Sequence, residues 1–151
     1  MLDDADRRLL RYLQDDPSLG NTELAERAGM TAAAVARRRK RLEDRDILQG
    51  AEARINWAAL GFTVEVSLRF TLDKTQPRAF DDFLEAARMV PEVLEIQTFL
   101  GRVDVRLSVI ARDMAHYQQL YRTRILTLPH IADIEALMHV ARIKSEERLP
   151  L

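Results

Sequence analysis

The chain has 151 residues, 47% of them apolar, which is enough for a true core in one domain or two small ones. Its 23 basic and 24 acidic residues leave a formal charge of −1, so it is not a uniformly basic nucleic-acid coat, and a polyanion would have to be met by a local patch. With no cysteine, a disulfide framework, a thiolate metal site and a cysteine nucleophile are excluded.

Leu2, Ala5, Leu9, Leu10 and Leu13 recur at helical spacing, predicting a first amphipathic helix over Asp3 to Gln14. Asp15 to Gly20 breaks it. Asn21 is then expected to cap a short second helix, TELAERA, which presents Leu24, Ala25 and Ala28 to the first and ends at Gly29. After a turn of Gly29, Met30 and Thr31, a third helix begins at Ala32 with Thr31 as its N-cap. Its apolar stripe is thin, essentially Val35 and Leu42. Between Thr31 and Arg45 six basic residues stand against two acidic ones, so the cations of this nearly neutral chain are concentrated here.

Two helices and a tight turn of this kind make a helix-turn-helix, with the third helix as the recognition helix for duplex DNA. Thr31, Ala32, Ala33 and Ala34 let its first turn approach a groove closely. Arg37 and Arg38, with Ala33 and Ala34, are expected nearest the base edges, and Lys40, Arg41 and Thr31 nearest the phosphates. Taken alone, the charge run also fits a solvated helix face. The segment after Arg45, from Ala51 to Asn56, is expected to form a short hairpin, a wing.

The stretches LDDADRRLLRYLQDD and NTELAERAGMTAAAVARRRKRLEDRDILQG together resemble the N-terminal domain of the Lrp/AsnC family of bacterial and archaeal transcription factors. The likeness covers some fifty residues, including the Leu-Asp start, Glu-Leu-Ala in the second helix and Arg-Leu-Glu followed by Ile-x-x-Gly. It departs from the family at Arg39, where an apolar residue is usual. Arg39 lies near the packing stripe, where its stem can cover apolar surface; whether its head meets DNA or the helix seam is left open by the sequence.

Residues 55–62 read as a linker. From Thr63 the period becomes two, with Val64, Val66, Leu68, Phe70 and Leu72 on one face of a strand. A helix follows Pro77, carrying Ala79, Phe80, Phe83, Leu84 and Ala87 on one side. Strands are expected over Val93 to Leu100 and Val103 to Ala111, then a helix capped by Asp113 with Met114, Tyr117, Tyr121 and Ile125 at helical spacing, then a strand over Asp133 to Ile143.

The predicted class is α+β, a winged helix-turn-helix over residues 1–54 followed by a ferredoxin-like βαββαβ domain over 63–143, with 144–151 as a tail. Leu94, Ile96, Leu137 and Ile143 are out of phase with a single buried face, which places apolar groups on the helix-free side of the sheet and predicts a homodimer through it. The family resemblance also implies a ligand-sensing, dimerising second domain that assembles further, to a tetramer or octamer.

Leu100, Gly101, Arg102, Val103 and Asp104 resemble the family's Gly-x-x-Asp turn, which implies an amino-acid effector there. Gly101 would offer amides to an α-carboxylate and Asp104 would pair with an α-ammonium. A plain hairpin turn in which Asp104 caps backbone donors fits equally well. Arg102 stands where the family commonly has an acid or amide, which favours an extra anionic group, and His130 replaces a turn glycine.

Nothing in the sequence supports catalysis or a cofactor. The five glycines are too dispersed for a phosphate loop, His116, His130 and His139 form no metal-ligand pair, and no nucleophile elbow is present. The acidic N-terminus has no signal-peptide core and no apolar run reaches a membrane span, so a cytoplasmic protein is expected. The reading is a DNA-binding transcriptional regulator modulated by an amino acid. An effector-independent architectural DNA-binding protein and a metabolite-sensing interaction module remain alternatives.

Overall fold

The computed structural model describes residues 1–151. The chain forms two compact units, one of Met1–Arg54 with Lys144–Leu151, the other of Ile55–Ile143.

In the first unit, α1 (Asp4–Asp15), α2 (Asn21–Ala28) and α3 (Ala32–Asp44) enclose Leu9, Leu13, Leu19, Leu24, Ala25, Ala28 and Val35. Asp3 caps α1 through a reciprocal capping box with Asp6. Asn21 is the first residue of α2, and its capping position falls to Gly20, whose amide donates to the Glu23 carboxylate at 3.4 Å. Gly29 closes α2 in the left-handed region at φ 67°, as its place in the turn predicts. The Thr31 hydroxyl accepts from the Ala34 amide at 3.1 Å, which starts α3 where expected.

The expected hairpin does not form: residues 51–56 contain no strand. Asp46 turns the chain out of α3 at φ 55°, and the Ile47 amide returns to the Leu42 carbonyl. Beyond it, Ala51, Glu52, Ala53 and Arg54 offer no β-branched or aromatic face, and an isolated two-stranded hairpin is marginal in water. The last residues join this unit instead of trailing as a free tail, with Arg148 paired to Asp15 at 2.6 Å and Gln14 donating to the Leu149 carbonyl.

The second unit is ferredoxin-like. A 3₁₀ turn (Ala58–Leu60) leads to β1 (Val64–Leu72), α4 (Ala79–Arg88), β2 (Val93–Thr98), β3 (Val105–Ala111), α5 (Met114–Leu120), a π-helical turn (Tyr121–Ile125) and β4 (Ile131–Met138). The sheet is antiparallel in the order β2-β3-β1-β4. Val66, Leu68 and Phe70 of β1 and Val105, Leu107 and Val109 of β3 meet Phe83, Ala87, Tyr117, Leu120 and Ile125 on the helix side. The Phe70 and Phe83 rings lie 4.9 Å apart at 58°.

The helix-free face is more polar than the out-of-phase residues suggest. Its register sets Glu65, Ser67 and Arg69 of β1 opposite Ile110, Ser108 and Arg106 of β3. Leu137, opposite Ser67, does lie on this face. Ile96 does not: the register shifts between Val93 and Glu95, which turns Ile96 toward the core beside Leu107. Ile143 lies past the end of β4 and is exposed.

Candidate nucleic-acid interface and ligand turn

Val35 and Leu42 of α3 are buried, which turns Thr31, Ala32, Ala33, Ala36, Arg37, Lys40, Arg41 and Arg45 to the surface. An open groove of about 490 Å³ runs along Ala36, Arg37, Lys40, Arg41, Asp44 and Arg45. Lys40 pairs with Asp44 at 2.9 Å one helical turn away, an exposed contact easily exchanged for a phosphate. Arg37 stands exposed beside it.

Two of the expected DNA contacts are already engaged within the protein. Arg38 is one-quarter exposed and reaches Asp3 at 2.7 Å and Asp6 at 2.8 Å, while Arg41 reaches the other side of Asp6 at 2.7 Å. The Arg38 guanidinium beside Asp3 holds that carboxyl down at about 2. Burial works to raise the Asp6 carboxyl, but the hydrogen bonds from Arg38, the Asp3 amide and Arg41 outweigh it and leave it below the ordinary carboxylate value. Arg38, expected at base edges, thus ties α3 to α1.

Arg39 resolves toward the helix seam, pairing with Glu43 at 3.3 Å and donating to the Leu19 carbonyl at 3.3 Å. Arg8 and Tyr12, unmarked by the helical spacing, donate from α1 to the last carbonyls of α2, Ala28 and Arg27, each at 2.9 Å. Basic and hydroxyl groups at a helix C-terminus are the available signal.

In the second unit the turn after β2 has Gly101 at φ 152°. Leu100, Gly101, Arg102 and Val103 line a cavity of about 530 Å³ together with Arg69, Gln97, Phe99 and Arg106. Asp104 is absent from that lining. It is 2% exposed, one oxygen accepting from the Leu72 amide at 2.8 Å and the other held by Lys74 at 2.9 Å. Its backbone amide donates to Phe70 and its carbonyl accepts from Phe99, so Asp104 locks the turn onto β1.

A family described as the Lrp/AsnC ligand binding domain matches residues 65–149, and the AsnC-type helix-turn-helix domain matches residues 2–43. The chain belongs to the Lrp/AsnC family. It is 30% identical over 148 residues to the leucine-responsive regulatory protein of Klebsiella pneumoniae and to that of Escherichia coli K12, in each case over 98% of this chain and 90% of the relative. Among solved structures it resembles a Neisseria meningitidis transcriptional regulator in complex with L-methionine, with a TM-score of 0.90 at 27% identity over 99% and 97% of the two chains. It also resembles the Mycobacterium tuberculosis feast or famine regulatory protein complexed with L-methionine, with a TM-score of 0.85 at 30% identity over 99% of each chain. Lrp/AsnC proteins are DNA-binding transcriptional regulators rather than enzymes, and that is the class of this chain. No helix is long and apolar enough to cross a membrane.

Proposed function

We propose that this Lrp/AsnC regulator reads duplex DNA with the outward face of α3 and responds to an amino-acid-like effector at the Leu100–Val103 turn. The observation that carries the first half is the exposure of Ala33, Ala36, Arg37 and Lys40 along one face of a helix capped at Thr31. Small residues at the helix start admit a close approach to a groove, and the cations beyond them neutralise phosphates or reach a guanine edge. Thr31, Ala32, Ala33 and Ala34 form the approaching turn; Arg37 reads base edges; Lys40, and Arg41 when it leaves Asp6, hold phosphates. Arg38 contributes by fixing the angle of α3 through Asp3 and Asp6.

The effector half draws on the cavity lined by Leu100, Gly101, Arg102 and Val103 and on the methionine complexes of the two structural relatives. Asp104 acts there by holding the turn rather than by touching the ligand. Residues 1–54 with 144–151 serve as the DNA-reading unit, 55–62 as the linker, and 63–143 as the sensing and assembly unit. Two copies join through the middle of the helix-free face of the sheet, where Ser67 Oγ is buried without a hydrogen-bond partner and Leu137 is exposed, leaving the end at Arg69 and Arg106 open onto the turn, and dimers assemble further to a tetramer or octamer.

Fluorescence anisotropy tests this on DNA from upstream of the protein's own gene, at two salt concentrations and with each of the twenty amino acids. Salt-sensitive binding that at least one amino acid alters is the expected result. Binding that no amino acid alters, with an unchanged assembly mass, would leave an effector-independent DNA-binding protein.

A further inference from the structure

The cavity at the Gly101 turn has a charge that a neutral amino acid does not use. Three of its eight lining residues are arginines, Arg69, Arg102 and Arg106, and none is acidic. Arg69 and Arg106 are direct cross-strand partners, a placement of like charges that costs stability in a sheet. Each is paired with one exposed carboxylate, Glu135 at 3.8 Å from Arg69 and Glu95 at 3.1 Å from Arg106. Surface pairs of this kind are weak. Arg106 Nε, moreover, is shut off from water and has no hydrogen-bond partner, a costly state for a buried donor.

From this we propose that the effector carries a second anionic group: it is a dicarboxylate of the acidic amino-acid or 2-oxo-acid class. The proposal rests on the reading of the Leu100–Val103 turn as the effector site and adds the ligand's chemistry to it. The guanidinium fork matches a carboxylate with two parallel N–H···O bonds, so Arg69 and Arg106 together receive the distal carboxylate and relieve their mutual repulsion. Arg102, on the turn itself, neutralises the α-carboxylate beside the Gly101 amide. Phe99 and Leu100, both exposed, close the apolar rim over the carbon chain. The cavity volume lies within the range of small-molecule sites.

Isothermal titration calorimetry on the full chain decides it, with L-glutamate, L-aspartate and 2-oxoglutarate against neutral L-glutamine, L-leucine and L-methionine at matched ionic strength. The expected result is an acidic ligand bound at least about tenfold more tightly than its neutral counterparts, with that margin removed in Arg69→Gln and Arg106→Gln. Arg106→Lys, which keeps the charge without the fork, should restore part of it, and light scattering should find the assembly mass unchanged. Tighter binding of a neutral amino acid overturns this proposal and leaves the effector site standing. Failure of every compound to bind overturns both. Acidic binding that survives both glutamine variants, equal competition by sulfate, or variants that change assembly mass without changing ligand affinity, each overturn the dicarboxylate assignment alone.

Discussion

Arg38 Nη1 lies 2.8 Å from Asp6 Oδ1, joining α3 to α1 through a carboxylate that is itself wholly buried. Arg41 approaches the same carboxylate from the next turn of α3, so one acid on the first helix orients two cations of the third. Asp6→Ala removes the acceptor for both. Stability of the first unit should drop by about 1–3 kcal/mol in urea unfolding, and DNA binding should weaken although Asp6 itself faces away from the exposed surface of α3.

The same cluster sets an acid limit. Asp3 is held at about 2 and Asp6 below its ordinary 3.8, so their stabilising contribution is complete above about pH 4 and is lost as pH falls toward 2. Circular dichroism of the parent across that window should show the loss. In Arg38→Gln, which removes the first cause of the Asp3 shift, the acid transition should begin nearer pH 4.

Arg37 and Lys40 separate reading from holding. Arg37→Ala should cost about 1–3 kcal/mol of discrimination between the operator and a sequence altered at one base pair. Lys40→Ala should weaken binding to all sequences and flatten the log-log salt dependence by about 0.9. Anisotropy titrations at several salt concentrations measure both, and parent-like behaviour of both variants would refute the docking of α3.

Asp104→Asn keeps the shape of the side chain and an oxygen for the Leu72 amide, whereas Asp104→Ala leaves that buried donor unmet. Thermal unfolding should place the alanine variant about 1–3 kcal/mol below the parent and the asparagine variant between them. If Asp104→Ala abolishes effector binding with full stability, Asp104 touches the ligand after all.

His130 occupies the left-handed region at φ 62°, where its ring nitrogen Nε2 lies 2.9 Å from Asp82 and its carbonyl accepts from the Asp73 amide. The ring contact offsets the backbone cost. His130→Ala keeps the strained backbone and loses the contact, while His130→Gly loses only the contact; glycine should therefore be the more stable of the two by about 1 kcal/mol in urea unfolding.

What could be read in advance was local. Thr31 and Gly29 mark the turn and the start of α3 because a cap and a left-handed residue act within a few positions of themselves. The period-two run from Val64 to Leu72 survives as β1 for the same reason. Arg38 reads as a base contact in the sequence because its partners Asp3 and Asp6 lie more than thirty residues upstream, beyond the reach of periodicity. Asp104 is engaged by Leu72 and Lys74 across the sheet, a burial that its tetrad does not announce, and the irregularity that turns Ile96 inward leaves no mark in hydropathy. Arg69 and Arg106 each read as an ordinary outward strand position until the register sets them side by side.

The return of Lys144–Leu151 to the helical unit means the polypeptide passes between the two bodies twice, at Arg54–Ile55 and again at Ile143–Lys144. With a second crossing, a cut at Arg54–Ile55 still leaves the helical unit holding the sheet unit's chain through the packed segment Lys144–Leu151.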